Sequence, residues 1–162
     1  MEETAYLKGQ HDLIEIVKKI PFLHSYEEKY LINILNLSKV RKYKAGEVIA
    51  KEGEFDSWFY LILSGEVKVV KHEMEIARLD SEGGTFGEMA VIEGMSRSAS
   101  VIAIKDTSCL AIDGAFLDRL PPEDKPNFES VYYRLLSEEL AYRLRKTSEE
   151  LSLLKKDPGK EN

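Results

Sequence analysis

The chain has 162 residues, of which 43% are hydrophobic and 32% charged, and its formal net charge is -6 at pH 7. This length suits one domain with one core, and the balanced composition excludes a disordered or fibrous chain. The acidic charge argues against a general attraction to DNA or to an anionic membrane surface.

The first 37 residues are predicted to be helical. Apolar residues recur at helical spacing over residues 12–23, and Pro21 is expected to end that helix. Ser25 and Glu28 form a capping-box pattern before the run LINIL, which predicts a second helix. The acidic start MEETAYLKGQ lacks the features of a secretion signal, so we expect a cytoplasmic protein with an N-terminal helical segment over residues 1–37.

Residues 38–120 are predicted to be a β domain. Short β-branched and aromatic runs alternate there with glycine turns, a pattern typical of a sandwich or barrel: VRKY, EVIAKEG, WFYLILSG, EVKVVKH, EIARL, ASVIAIKD and SCLAID. The longest apolar run, Trp58–Leu63, is far shorter than the roughly 20 residues of a membrane-spanning helix. Cys109 has no cysteine partner and is predicted to be a buried thiol.

Residues 121–156 are predicted to form a long C-terminal helix, with a disordered tail at 157–162. The short run AFLDRL and a pair of prolines precede a helical pattern from about Asn127 to Lys155. Steps of four and three give a heptad seam, which predicts a homodimer through this helix: Tyr133, Ser137, Leu140, Leu144, Thr147, Leu151 and Leu154. The alternative is a helix that packs only on its own domain.

The stretch GTFGEMAVIEGMSRSAS, residues 84–100, places Glu88 and Arg97 among small residues. Gly87 allows backbone N–H groups to approach an anion, and a guanidinium fork can hold two phosphate oxygens. An ionised carboxylate only accepts hydrogen bonds, which suits a sugar hydroxyl. This combination predicts a nucleotide site. The alternative is that both ions are solvated or pair with each other.

The segment FGEMAVIEGMSRSASVIA resembles the phosphate-binding cassette of the cyclic nucleotide-binding domain family. The upstream runs AGEVIAKEGE and WFYLILSGEVKV are similar to the same family's glycine-marked strands, so the resemblance covers roughly residues 20–155. It implies a mainly β fold with flanking helices. The expected core is an antiparallel β-roll, a jelly-roll-like double-stranded β-helix, over which the long C-terminal helix closes.

The resemblance also implies a role for individual residues. Glu88 is expected to accept the ribose 2′-hydroxyl and Arg97 to hold the cyclic phosphate, within a binding set of Phe86, Gly87, Glu88, Met89, Ala90, Arg97, Ser98 and Ala99. The run LAYRLRKTSEEL is similar to the long helix of the family's bacterial catabolite activators. That similarity implies adenine contacts from Thr147 and, across a dimer, from Ser148. We therefore expect cAMP, with cGMP as the alternative because Ser98 can also contact a guanine.

Catalysis is not expected from this sequence. His11, His24 and His72 are scattered, so no metal site is predicted, and GGTFGE lacks the spacing of an ATP-binding loop. The sequence ends at Asn162, where the activators continue into a DNA-reading domain, so DNA binding by this chain is not expected. The predicted output is an unidentified downstream protein. The remaining alternative is a ligand-free interaction module of the same fold.

Overall fold

The computed structural model describes residues 1–9, 13–18, 24, 26–80 and 84–156. These residues form the predicted antiparallel β-roll with flanking helices. The predicted tail at 157–162 lies outside the described residues. In chain order the elements are β1 (Glu2–Glu3), α1 (Ile14–Val17), α2 (Glu28–Asn36), β2 (Ser38–Tyr43), β3 (Val48–Ala50), β4 (Trp58–Ser64), β5 (Glu66–Lys71), β6 (Met74–Asp80), β7 (Thr85–Phe86), α3 (Glu88–Glu93), β8 (Ser100–Ala103), β9 (Thr107–Asp113), a 3-10 helix (Gly114–Arg119) and α4 (Lys125–Lys156).

The strands form two sheets in which every pair is antiparallel. The first sheet has the order β1-β2-β9-β4-β7, and the second has the order β3-β8-β5-β6. All seven predicted β runs contain a strand. The short strands β1 and β7 were not predicted, because two residues are too few for an alternating pattern to be visible in the sequence.

Strands β4 and β9 are buried on both faces. Phe59 and Leu61 point to a core shared with the helices, whereas Tyr60 and Ile62 point to a second core between the two sheets. Side chains alternate in the same way along β9. Cys109 belongs to the core between the sheets and is 0% exposed, as predicted, and this burial raises the pKa of its thiol to about 12. The roll is therefore joined to the helices through these two strands.

Both predicted N-terminal helices have a counterpart in the described part of the chain. Helix α1 covers Ile14–Val17, and most of the rest of the predicted span 12–23 lies outside the described residues. Helix α2 begins at Glu28 with Glu27 as its N-cap, and no side chain caps it. Glu28 is therefore the first helical residue and not the third, so the predicted capping box does not place the start of this helix; Ser25 itself is not described.

Helix α4 contains 32 residues and is about 48 Å long at 1.5 Å per residue. It begins at Lys125, two residues before the predicted start, after a turn in which Pro121 accepts backbone hydrogen bonds of 3.0 and 3.1 Å. Tyr132 and Leu136 are buried against the body, whereas residues 144–156 are all exposed. Among the described residues, no helix combines the length and apolar character needed to cross a membrane.

Candidate functional site

A cavity of about 320 Å³ lies beside the stretch 84–100. Its walls come from both sheets, from α3 and its following loop, and from Arg143 on α4. The cavity is lined by all eight residues predicted to surround a phosphate and a ribose: Phe86, Gly87, Glu88, Met89, Ala90, Arg97, Ser98 and Ala99. The structure thus brings the whole predicted cassette together around one space.

Gly87 is the N-cap residue of helix α3. The ring of the preceding Phe86 stacks on Tyr60 with the ring centroids 4.8 Å apart, and Gly87 itself has a φ of +92°. A Cβ at this position would collide with the Arg97 guanidinium and would lie 2.7 Å from the carbonyl oxygen of Trp58. A residue without a Cβ is therefore required for Arg97 to occupy its place.

Arg97 is buried, with 4% of the residue exposed. Its Nε donates a hydrogen bond of 2.9 Å to Asp56 Oδ2, and its Nη2 donates to Asp56 Oδ1. Nη2 also donates to the carbonyl oxygen of Trp58 at 2.6 Å, and Nη1 donates to that of Gly87 at 3.0 Å. The loop 51–57 is held against Arg97 by two further backbone hydrogen bonds of 2.8 and 2.9 Å. The protein itself therefore holds the guanidinium in place.

These contacts revise two expectations about the charged pair. Glu88 and Arg97 are neither solvated nor paired with each other, because each is buried and has a different partner. The guanidinium fork is also not open, since its Nε–Nη2 edge faces Asp56. Four hydrogen bonds to described residues use four of the five N–H donors of the guanidinium. The remaining donor, the second N–H of Nη1, is left for an anion.

Glu88 is buried at the start of α3, with 3% of the residue exposed. Its Oε1 accepts a hydrogen bond of 3.0 Å from Arg143 Nη1. Its Oε2 is fully buried and has no hydrogen-bond partner among the described residues. A buried carboxylate oxygen without a donor is costly, and it is the type of acceptor that a ligand hydroxyl satisfies.

Opposing effects act on the pKa of the Glu88 carboxyl, and their net result is an increase. Burial raises the pKa of Glu88 above its ordinary value of 4.5, and the negative charge of Glu139 raises it further. The positive charges of Arg143 and Arg97 lower the same pKa without cancelling the effect of burial. A hydroxyl that donated to Oε2 would stabilise the ionised carboxylate and lower this pKa again.

Arg143 is a residue of the site that the sequence analysis did not predict. From helix α4 it contacts Glu88, and it also donates hydrogen bonds of 2.8 Å from Nε to Glu139 Oε1 and 3.4 Å from Nη2 to Thr85 Oγ1. It therefore connects the long helix to the cassette. Arg143 shares the face of Tyr132, eleven residues earlier on α4, but that this face packs on the body is visible only in the structure.

The wall of the cavity away from Arg97 and Glu88 is formed largely by the second sheet. It consists of aliphatic side chains and one cation: Ala50, Val69, Lys71, Ile76 and Val101. Lys71 lies on β5 two residues after Val69, on the same face of the strand, and is exposed at the edge of the cavity. This wall is therefore apolar except for one cation.

Thr147 and Ser148 are placed differently from the cassette residues. Both are exposed on the C-terminal half of α4, and neither is among the described residues that line the cavity. Within this chain the predicted adenine contacts are therefore not brought to the cavity. The described residues also contain no group of three or more side chains able to hold a metal ion.

The sequence profile of the family described as "Cyclic nucleotide-binding domain" matches residues 40–123, just over half of the chain. The chain belongs to this family. The matched segment contains the whole cassette and the strands β3 to β9. The predicted family resemblance is confirmed.

Cyclic nucleotide-binding domains of several proteins are similar to this chain. It is 38% identical over 109 residues to the cAMP-dependent protein kinase regulatory subunit of Dictyostelium discoideum, covering 62% of this chain and 32% of that protein. It is 33% identical over 99 residues to the cGMP-dependent protein kinase of Plasmodium berghei, covering 60% of this chain and 11% of that protein. The chain thus spans less than a third of the length of these relatives.

A solved structure of a cyclic nucleotide-binding domain from Methylobacillus flagellatus has the same fold. It superimposes with a TM-score of 0.75 at 24% identity, covering 92% of this chain and 86% of the other. This agreement extends over the β-roll and the long helix, so the predicted fold class is confirmed.

Proposed function

We propose that this chain is a regulatory module that binds a 3′,5′-cyclic nucleotide in the 320 Å³ cavity. The observation that carries the proposal is the buried, unpartnered Oε2 of Glu88 in the same cavity as the buried cation Arg97. The cyclic phosphate accepts hydrogen bonds from Arg97 Nη1 and from backbone N–H groups at the start of α3. The ribose 2′-hydroxyl donates to Glu88 Oε2.

The base has two candidates. Cyclic AMP is the first, because a 38% identical relative is a cAMP-dependent protein kinase regulatory subunit and because Thr147 and Ser148, although outside the cavity within one chain, match the adenine-contacting pair of the activators in sequence. Cyclic GMP is the second, because Lys71 lines the cavity and a 33% identical relative is a cGMP-dependent protein kinase. Guanine presents the acceptor O6 where adenine presents an amino donor, so an ammonium group on this wall favours guanine.

The mechanism is a shift between arrangements of α4. Arg143 ties this helix to the Glu88 carboxylate, so a nucleotide that completes the hydrogen bonding of Glu88 also stabilises the docked helix. A ligand shifts such an equilibrium only by its differential affinity for the two arrangements. The module carries out no catalysis in this proposal. It acts in the cytoplasm on a downstream protein.

The deciding experiment is a thermal-shift titration of the purified chain with cAMP, cGMP and linear 5′-AMP. At 100 times its dissociation constant, a ligand adds about 2.7 kcal/mol to the free energy of unfolding. That corresponds to a rise in Tm of roughly 5–10 °C for a domain of this size. A rise with a cyclic nucleotide and little rise with 5′-AMP supports the proposal. No rise with any of the three refutes it and favours the ligand-free interaction module.

We also propose that α4 pairs two copies of the chain. Leu144, Leu151 and Leu154 are 70%, 50% and 73% exposed, and they lie on one seam of the exposed half of the helix. Three exposed leucines at heptad spacing are what a coiled-coil partner buries. Such a pairing would also bring Ser148 of one chain towards the other, as the resemblance implies.

The dimer is tested by sedimentation of the double variant Leu144→Glu/Leu151→Glu, which is expected to be a monomer. Leu153→Glu is the matched control, because Leu153 is 66% exposed on the same helix but lies off the seam. The control variant is expected to remain a dimer. A monomeric unmodified chain would contradict the proposed pairing.

A further inference from the structure

Glu139 is a buried acid on the face of α4 that packs against the body. Only 2% of the residue is exposed, and its neighbours on this face, Tyr132 and Leu136, belong to the hydrophobic core. Its Oε1 accepts a hydrogen bond of 2.8 Å from Arg143 Nε, four residues further along the helix. A carboxylate thus stands where helix packing alone calls for an apolar side chain.

Stability does not explain an acid at this position. Glu88 and Glu139 are both buried and both bind the guanidinium of Arg143, so two carboxylates share one hydrogen-bonded cation. Replacing a buried ion pair by well-packed apolar residues is often neutral or stabilising. The retained charge therefore calls for a role other than the packing of α4.

The geometry of the guanidinium indicates that role. Nε donates to Glu139, Nη1 to Glu88 and Nη2 to Thr85, so three acceptors from α4, α3 and β7 define the guanidinium plane. The Arg143 side chain is 32% exposed and has solvent beside it. Without Glu139, the long arginine side chain would be free to adopt other rotamers and to donate to water.

We propose that Glu139 is a positioning residue for nucleotide recognition: it holds Arg143 so that Arg143 binds Oε1 of Glu88 and leaves Oε2 for the ribose 2′-hydroxyl. This inference rests on the proposed cyclic nucleotide function. It assigns ribose recognition to a relay of three side chains that crosses from α4 to the cassette. The base and the phosphate are contacted by other residues, so their recognition does not depend on Glu139.

The test measures how strongly the protein prefers a ribose over a deoxyribose. Calorimetry gives the dissociation constants of cAMP and 2′-deoxy-cAMP, or of the guanine pair if cGMP binds more tightly, and their ratio is the preference. Glu139→Leu is expected to reduce this ratio by about 3- to 10-fold, the worth of one ordinary hydrogen bond. The control Glu150→Gln, on the exposed part of α4, is expected to leave the ratio unchanged.

A double-mutant cycle shows whether Glu139 acts through Arg143. Arg143→Met is expected to reduce the ratio at least as much as Glu139→Leu. Adding Glu139→Leu to Arg143→Met is then expected to cause no further reduction, because the residue through which Glu139 acts is already missing. Independent, additive losses would contradict the relay.

Two conservative variants decide the question even if Glu139→Leu does not fold. Glu139→Gln keeps a carbonyl oxygen at the same reach, so it is expected to retain the ratio within about 2-fold and to show that geometry suffices. Glu139→Asp keeps the charge but is shorter by one methylene. It is expected to reduce the preference for ribose over deoxyribose as much as Glu139→Leu does. The reverse order would show that charge and not position matters, which overturns the proposal.

The two proposals fail in different ways. An unmodified chain that binds neither nucleotide removes the proposed function and this inference with it. An unmodified chain that binds with a clear preference for the 2′-hydroxyl, which every Glu139 variant retains, removes only the inference. A Glu139 variant with an altered Tm and an unaltered ratio would show a purely structural role and would likewise overturn it.

Discussion

The phosphate end and the ribose end of the cavity hold their charges in opposite ways. At the phosphate end, Arg97 already donates to Asp56 and to the carbonyl oxygens of Trp58 and Gly87. At the ribose end, Glu88 has one oxygen bound by Arg143 and the other without a partner among the described residues. Protein acceptors take four of the five N–H donors of Arg97, whereas only one of the two carboxylate oxygens of Glu88 has a partner among the described residues.

This difference assigns distinct tasks to the two ends. A guanidinium fixed by protein acceptors does not need to be ordered when the phosphate arrives, so this end is preorganised. A buried carboxylate oxygen without a donor destabilises the empty protein and gains a partner only from the ligand. Binding affinity is therefore expected to depend mainly on Arg97, and the coupling to α4 mainly on Glu88 and Arg143.

The largest effect is expected from Arg97→Ala. Removing one partner of a desolvated, hydrogen-bonded charge pair costs about 2–5 kcal/mol, which is roughly a 30-fold to more than 1,000-fold loss of affinity. Calorimetry with the tighter-binding cyclic nucleotide measures this loss. The control is Arg78→Ala, because Arg78 is exposed on β6, where it binds Glu75 and does not line the cavity. Equal affinities for the Arg97 variant and the unmodified chain would remove Arg97 from the site.

A smaller and more selective effect is expected from Glu88→Ala. It is expected to bring the preference for the nucleotide over its 2′-deoxy analogue from about 10-fold or more to about 1, because a charge-assisted hydrogen bond is lost. Glu93→Ala, at the other end of α3, is the matched control. A preference that survives in the Glu88 variant would contradict the role of this carboxylate at the ribose.

The smallest effect is expected from pH. Burial raises the pKa of Glu88 in the empty protein, and only the ionised form accepts the 2′-hydroxyl without a competing proton. The 2′-hydroxyl preference is therefore expected to weaken as the pH falls from neutral into the acidic range where Glu88 becomes protonated, and to recover as the pH rises. In Glu88→Gln the preference is expected to be independent of pH. A preference that strengthened in acid would reverse the assigned sign.

Local parts of the fold and site were predictable from the sequence. The cassette residues from Phe86 to Ala99 are close in sequence, and the glycines and small side chains among them indicate that a ligand can approach the backbone. The strands were visible as alternating runs, and α4 as one continuous period. The heptad seam also follows local spacing; three of its leucines, Leu144, Leu151 and Leu154, are exposed, and the pairing itself stays a prediction.

The partners of the two key ions were not predictable in the same way. Asp56 is 41 residues from Arg97, and Arg143 is 55 residues from Glu88. Each is an ordinary loop or helix residue in the sequence, and only the tertiary fold brings it to its charged partner. The start of α2 was misplaced for a related reason, since a local capping pattern competes with the packing that determines where a helix begins.

The single cysteine of the chain has a practical consequence for studying α4. Cys109 lies in the core between the sheets, and its burial raises the thiol pKa to about 12, so it forms little of the reactive thiolate in the folded protein. A cysteine introduced at an exposed position of α4 is therefore the thiol that a fluorescent or spin label modifies in the native state. The position of α4 can therefore be followed with such a label without removing Cys109.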